Sequence, residues 1–247
     1  PEGATLMRAE ALAIAEGVPA RPHPENDPSR TDGLNAVVTA AAESRGVPVF
    51  DLAAQARAWP GGALDPALRI DGTGFTPAAG ERIGEWLLPL LRDRTPSLAA
   101  AAPTPVIAAD APLPPAPAVG PRRQVAPGER LDVLVVGDSV AWNVASGLSK
   151  WAGGDVQVAN GSKLGCPIAR GGSYRFKRDT LVFPAECDWS TFFPELLTGY
   201  RPDVVVLSSG IWEVVDRRLP GDDRFRHLGD PGVDRYVLGG VLGAIDQ

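Results

Sequence analysis

The sequence predicts an α/β fold with a parallel sheet covered by helices on both faces, and three observations carry that expectation. Val133–Val136 and Val204–Leu207 are continuous apolar runs, with no alternation of polar and apolar positions. Strands of that kind are buried on both sides. Each run ends in small turn residues, Gly137-Asp138-Ser139 and Ser208-Ser209-Gly210, and the first leads directly into a helical pattern. Strand, tight turn and helix in that order open a parallel-sheet unit.

Taken along the chain, Ala4–Glu16 reads as a weak Ala-rich helix and Pro22–Pro28 as a proline-punctuated loop. A helix follows from Pro28 to Ser44 with Leu34, Val37, Val38 and Ala41 on one face, stopped by Gly46. Val47–Phe50, followed by Asp51, reads as a short buried strand. Ile70–Pro77 is a turn containing Gly72 and Gly74. Thr76 as N-cap and Pro77 at the first helical position then open a helix to about Leu91. Its expected apolar face is Ile83, Trp86, Leu87 and Leu90.

Composition breaks between Pro96 and Gly128, where prolines cluster among alanines, as a semi-rigid linker requires. The chain therefore divides into residues 1–95, an Ala/Pro-rich linker over 96–130, and residues 131–247. In the last portion a helix runs from Ser139 to about Trp151, and Val156–Ala159 is a second strand. A long glycine-containing loop opens at Asn160, Thr191–Tyr200 is a helix, and Asp234–Ile245 is another.

At 247 residues and 25.9 kDa the chain can bury one large core or two small ones. Hydrophobic residues at 44% argue against wholesale disorder. A net charge of −6 supplies no basic stripe for nucleic acid. Two cysteines exclude a zinc ribbon, no metal set is expected, and no run is long enough to span a membrane. Only His23 and His227 offer imidazole. Beginning at Pro1 and stopping at Gln247 inside a helical pattern, the sequence reads as a piece of something longer.

The residue with the clearest chemical promise is Ser139, at the carboxyl end of the first strand and the start of the next helix. Ligands collect at that edge of parallel sheets. A backbone N–H and the positive helix end there both favour a developing oxyanion. Gly-Asp-Ser before a helix is equally ordinary as a capping sequence. The tripeptide alone leaves both readings open.

Further blocks fall in order. Gly137-Asp138-Ser139, then Asn160-Gly-Ser-Lys-Leu-Gly165-Cys166-Pro167-Ile168, then Arg201 to Arg217 with Gly210-Ile-Trp212-Glu213, resemble successive blocks of the SGNH (GDSL-type) hydrolase and acyltransferase superfamily. The resemblance is nearest to SGNH domains attached to acyltransferase-3 membrane proteins. It implies a flavodoxin-like three-layer α/β/α sandwich with Ser139 as nucleophile. Asp138, Gly165, Gly210 and Trp212 would serve the oxyanion or substrate. Trp212 stands where the family has an asparagine donor.

The family's closing Asp-x-x-His block has its counterpart upstream, in Ile70-Asp71-Gly72-Thr73-Gly74-Phe75-Thr76-Pro77, where Asp71 keeps its place and Gly74 replaces histidine. The chain thus carries the C-terminal piece of an SGNH-like domain ahead of the N-terminal piece of one. A junction of tandem domains and a circularly permuted single domain both fit. In the tandem case the base for Ser139 is expected beyond Gln247, and the chain as given is expected to be a weak catalyst.

Cys166 and Cys187 fit a disulfide in an extracytoplasmic family. Trp189, Phe192 and Phe193 read as core or as the lining of an acyl or sugar site. Asp216, Arg217 and Arg218 read as a solvated ion-pair loop, and His23 and His227 as structural or surface residues. The implied activity is that of a serine esterase or O-acyltransferase acting on O-acetyl groups of cell-surface glycans without a cofactor. Its partners would be an acylated carbohydrate or acyl donor and a membrane acyltransferase domain in the parent protein. A non-catalytic pseudo-hydrolase that binds glycan or positions a partner enzyme is the competing expectation.

Overall fold

The computed structural model describes residues 27–62, 65–69, 75–93, 115, 125, 126 and 128–247. The Ala4–Glu16 helix, His23, Asp71, Gly74 and most of the linker lie outside the described residues.

Capping chemistry sets the first helices. Asp27 accepts from Ser29 N at 2.9 Å and Pro28 occupies the first position, so α1 spans Pro28–Ser44. Asp51 accepts from Ala54 N at 2.7 Å and caps α2, Leu52–Ala58. Thr76 Oγ1 accepts from Ala79 N at 3.2 Å and opens α3, Pro77–Asp93. The buried face of α3 is Ile83, Leu87, Leu88 and Leu91, while Leu90 is half-buried.

In the C-terminal portion β1 (Leu131–Gly137) leads into α4 (Ser139–Trp151), and β2 (Val156–Asn160) follows. A hairpin, β3 (Ser173–Phe176) with β4 (Asp179–Val182), interrupts the alternation before α5 (Trp189–Tyr200) and β5 (Val204–Ser208). The short α6 (Ile211–Val214), β6 (Asp216–Arg218) and α7 (Pro231–Ile245) complete the chain.

The main sheet has the order β2-β1-β5, all parallel, with Val133 opposite both Val158 and Val204. A second, antiparallel sheet has the order β4-β3-β6. The loop expected after Asn160 therefore contains two strands, and β6 is a third. These short, largely polar strands lack the apolar runs that mark the parallel ones.

β1 feeds two cores. Leu134 and Val136 pack with α1, α5 and α7 on one side, while Leu131, Val133 and Val135 pack with α3 and α4 on the other. That is the two-sided burial that a non-alternating strand requires.

Residues 27–93 contribute to both layers. α1 runs alongside α7 in the same direction, with Gly33 near Leu228 at one end and Arg45 paired with Asp246 at the other. α3 runs alongside α4, with Gly80 against Asn143 and Gly84 against Gly147. The approach there is backbone to backbone: a Cβ on Gly147 would stand 1.6 Å from the Gly80 carbonyl oxygen.

Val47–Phe50 departs from expectation. It is extended and partly buried, and Phe50 packs on the α3–α4 core, but the segment pairs with no described strand. Val47 N–H donates instead to Ala42 O at 2.9 Å, as an exit from α1. The outer edge of β5 is likewise unpaired among the described residues, and Val205 on it is 44% exposed.

Two glycine substitutions should separate close approach from mere flexibility. Gly147→Leu forces the helix backbones apart and is expected to cost about 3 kcal/mol. Gly239→Ala, in α7 with nothing within 4 Å of the added carbon, should gain about 0.5–1 kcal/mol. Urea unfolding followed by circular dichroism measures both.

Candidate functional site

Everything at the candidate site hangs on the turn after β1. A Cβ on Gly137 would fall 1.6 Å from Ser208 O, so only glycine lets the ends of β1 and β5 lie together. Asp138 is fully buried and caps α4, accepting from Val140 N at 2.8 Å. Its other oxygen accepts from Gly210 N at 3.0 Å, across the sheet edge. One carboxylate thus fixes the start of α4 and the turn after β5 to each other. Ser139 is the first residue of α4, half-buried, and its hydroxyl makes no hydrogen bond to a described residue.

The loop after β2 is drawn to the same edge. Gly161 N donates to Val135 O and Lys163 N to Gly137 O, both at 2.8 Å. A turn from Lys163 to Cys166 follows, closed by Cys166 N donating to Lys163 O at 3.2 Å, with Gly165 at φ +77°. A side chain at that φ is strained, which fits the glycine. The Trp212 ring edge lies 4.0 Å from where a Gly165 Cβ would stand, and its indole Nε1 is buried without an acceptor among the described residues. Ser139, Asp138, Gly165, Gly210 and Trp212 therefore gather at the carboxyl edge of the parallel sheet.

Cys166 and Cys187 are joined in a disulfide, as expected. The bridge anchors the Gly165 turn to the segment ahead of α5. Trp189 and Phe193 are core residues, and Trp189 Nε1 donates to Ile168 O at 2.6 Å.

Glu213 and Arg217 are the residues that sequence reasoning missed. Arg217 was expected in a solvated loop, yet both side chains are 0% exposed. Glu213 accepts from Ile168 N at 2.5 Å, from Ser209 Oγ at 3.2 Å and from Ala169 N at 3.4 Å. Arg217 donates to Ala169 O at 2.7 Å, to Trp212 O at 2.8 Å and to Glu213 at 3.4 Å. Two side chains stand in for a β-ladder around the backbone of residues 168 and 169. The one signal in the sequence was Glu213, a lone charge in the otherwise apolar Ile211–Val215 segment, which a buried segment holds only with a partner.

Asp216 pairs with Arg30 at 2.9 Å, and Arg218 donates to Ser173 Oγ at 3.1 Å, so neither belongs to a free loop.

Burial pushes the Asp138 carboxyl up to about 7, against the Val140 N–H, which favours its anion, and with the nearby Glu213 charge adding to the rise. Burial also raises Glu213, opposed chiefly by the Arg217 guanidinium.

Comparison with family models, with curated proteins and with solved structures finds no match to this chain.

Among the described residues the one histidine, His227, is exposed in the loop ahead of α7, with Nδ1 2.6 Å from Leu228 O. No described group of three His, Cys, Asp or Glu side chains is placed to hold a metal ion. No described helix is long and apolar enough to cross a membrane.

Three outcomes follow for stability. Arg217→Met leaves Glu213 buried without its counter-charge and is expected to cost about 3–5 kcal/mol, and adding Glu213→Leu should not restore it, because the Ile168 and Ala169 N–H groups then lose their acceptor. Reduction of the disulfide, which closes a 21-residue separation, should cost about 3 kcal/mol. Asp138 has its pKa raised on folding, so its stabilising contribution is full below the unfolded value near 3.9. It is lost as pH rises to about 7. Urea midpoints between pH 5 and 8 should fall with rising pH, and Asp138→Asn should flatten that slope.

Proposed function

We propose that the chain carries an SGNH-type acyl-ester site with Ser139 as nucleophile, of the serine esterase or O-acyltransferase kind, with no histidine bonded to that serine among the described residues. The observation that supports the reading best is the frame around Ser139. A serine at a helix start, with no hydrogen bond to a described residue, is flanked by the Gly210 turn, which Asp138 ties to α4, and by the Gly165 loop, which Lys163 N–H ties to Gly137 O.

In the reaction, Ser139 Oγ attacks an ester carbonyl and its proton passes to solvent water, or to an added base, forming a tetrahedral oxyanion. Backbone N–H groups at Ser139 and Gly165 are the candidate donors to that oxygen, and the dipole of α4 adds to them. The alcohol leaves with a proton, and the acyl group passes from Ser139 to water or to a second alcohol.

Asp138 is a positioning residue in this scheme, because both its oxygens are engaged with backbone N–H groups. O-acetyl groups of a cell-surface glycan as substrate, an acyl donor or acylated carbohydrate as partner, and an extracytoplasmic setting are part of the same proposal. The disulfide is consistent with that setting.

A pseudo-hydrolase is the second reading. It is favoured by one observation, that the described imidazole, His227, bonds Leu228 O and makes no hydrogen bond to Ser139.

Gly74→His decides between them. The substitution recreates Asp-x-x-His with Asp71, immediately ahead of α3, and α3 starts beside the start of α4. A general base contributes roughly 10²- to 10⁴-fold. Hydrolysis of p-nitrophenyl acetate should therefore rise by about 100-fold or more over the parent chain, and Ser139→Ala should abolish the gain. A folded Gly74→His chain with no Ser139-dependent turnover leaves the pseudo-hydrolase reading standing.

A further inference from the structure

Residues 27–93 meet residues 131–247 on two separate faces. On one, α3 buries Ile83, Leu87 and Leu91 with Val144 and Leu148 of α4, at the glycine crossing of Gly80 and Gly84 with Gly147. On the other, α1 buries Leu34, Val37 and Ala41 with Val237 and Val241 of α7. Both contacts have the makeup of a domain core rather than of two surfaces in passing contact.

Charges at their margins are complementary. Arg45 holds Asp246 through two bonds, of 2.7 and 2.9 Å. Arg30 reaches Val214 O at 3.0 Å and Asp216 at 2.9 Å. Arg92 pairs with Asp155 at 2.8 Å. In each pair the arginine belongs to residues 27–93 and the aspartate to residues 131–247; Glu81 with Lys150 is the reverse.

The ends of the connection coincide. Arg92, one residue before the end of α3, bonds the side chain of Asp155, and Leu131 N, at the start of β1, donates to the Asp155 backbone oxygen at 2.8 Å. Residues 94–130 therefore leave and return beside one residue. A connection of roughly two to six residues ordinarily closes such a gap.

We propose that residues 27–93 are a docked segment. The faces of α4 and α7 recognise it as a separate body of the same chain, and hold it without help from the covalent link. The recognition elements are a helix with glycine at positions four apart, fitting Gly147, and three arginines fitting Asp155, Asp216 and Asp246. This inference does not depend on the catalytic reading, and its test involves no turnover.

The test inserts a specific protease site between Ala101 and Ala102 of the full chain and cleaves the folded protein to completion. At about 1 µM, well below the roughly millimolar effective concentration that a flexible link supplies, the two pieces should elute together. Light scattering should return the mass of one intact chain. Elution of either piece alone overturns the proposal, as does a particle of twice that mass, which would mean that the segment is exchanged between copies.

Gly84→Val in the cleavable chain should be folded before cleavage by circular dichroism and should separate after it. If that variant does not fold, Arg45→Ala combined with Arg92→Ala replaces it, with an expected loss of association of at least about tenfold after cleavage. Cleaved pieces that stay together equally well in the folded variant show that the described faces are not what holds them, and the proposal fails.

Discussion

The backbone contact between α3 and α4 is the constraint on which the arrangement depends. Gly80, Gly84 and Gly147 bring two helices from opposite halves of the sequence so close that no side chain fits between them. Because the crossing is parallel, α3 must begin where α4 begins, at the carboxyl edge of the sheet. Thr76 and Pro77, which open α3, are thereby brought to the same edge as Ser139, which opens α4. Without that crossing the core that Val133 and Val135 share with α4 would lose Ile83, Leu87 and Leu91 of α3.

A second layer of constraint acts at the site itself. Loops at a sheet edge normally owe their shape to backbone hydrogen bonds, but the loop that carries Gly165 is held largely by side chains and by the disulfide. Glu213 and Arg217 grip its far end, Asp138 ties Gly210 to Ser139, and Trp189 takes the remaining carbonyl at Ile168. Charged groups bought into a dry interior in this way are costly unless every partner is in place. The compensation is a turn whose position relative to Ser139 is set by bonds from several directions at once.

Much of this was legible in the sequence and some was not, for physical reasons. Pro28, Thr76-Pro77 and the valine runs of β1 and β5 are local signals, and the corresponding elements lie where those signals put them. Ser139 was singled out from the strand–turn–helix pattern, Gly165 and Gly210 through the family resemblance, and the three lie at the carboxyl edge of the parallel sheet. The hairpin β3–β4 escaped because its strands are short and its partner β6 is remote. Arg217 was misplaced because charge suggests solvent unless the partner is known, and that partner is specified only once α6 forms. Val47–Phe50 has a strand's composition, but composition does not supply a neighbouring strand to pair with.

The edge of β5 carries a different consequence. Its Val-Val-Val-Leu run has no lysine, proline or bulge to discourage addition of another strand, and part of it faces solvent. Against such pairing between copies of the chain acts long-range repulsion from the net charge of −6. Repulsion of that kind is screened within about 10 Å at 0.1 M salt. The colloidal behaviour of the protein is thus coupled to ionic strength through one strand edge that no described residue covers.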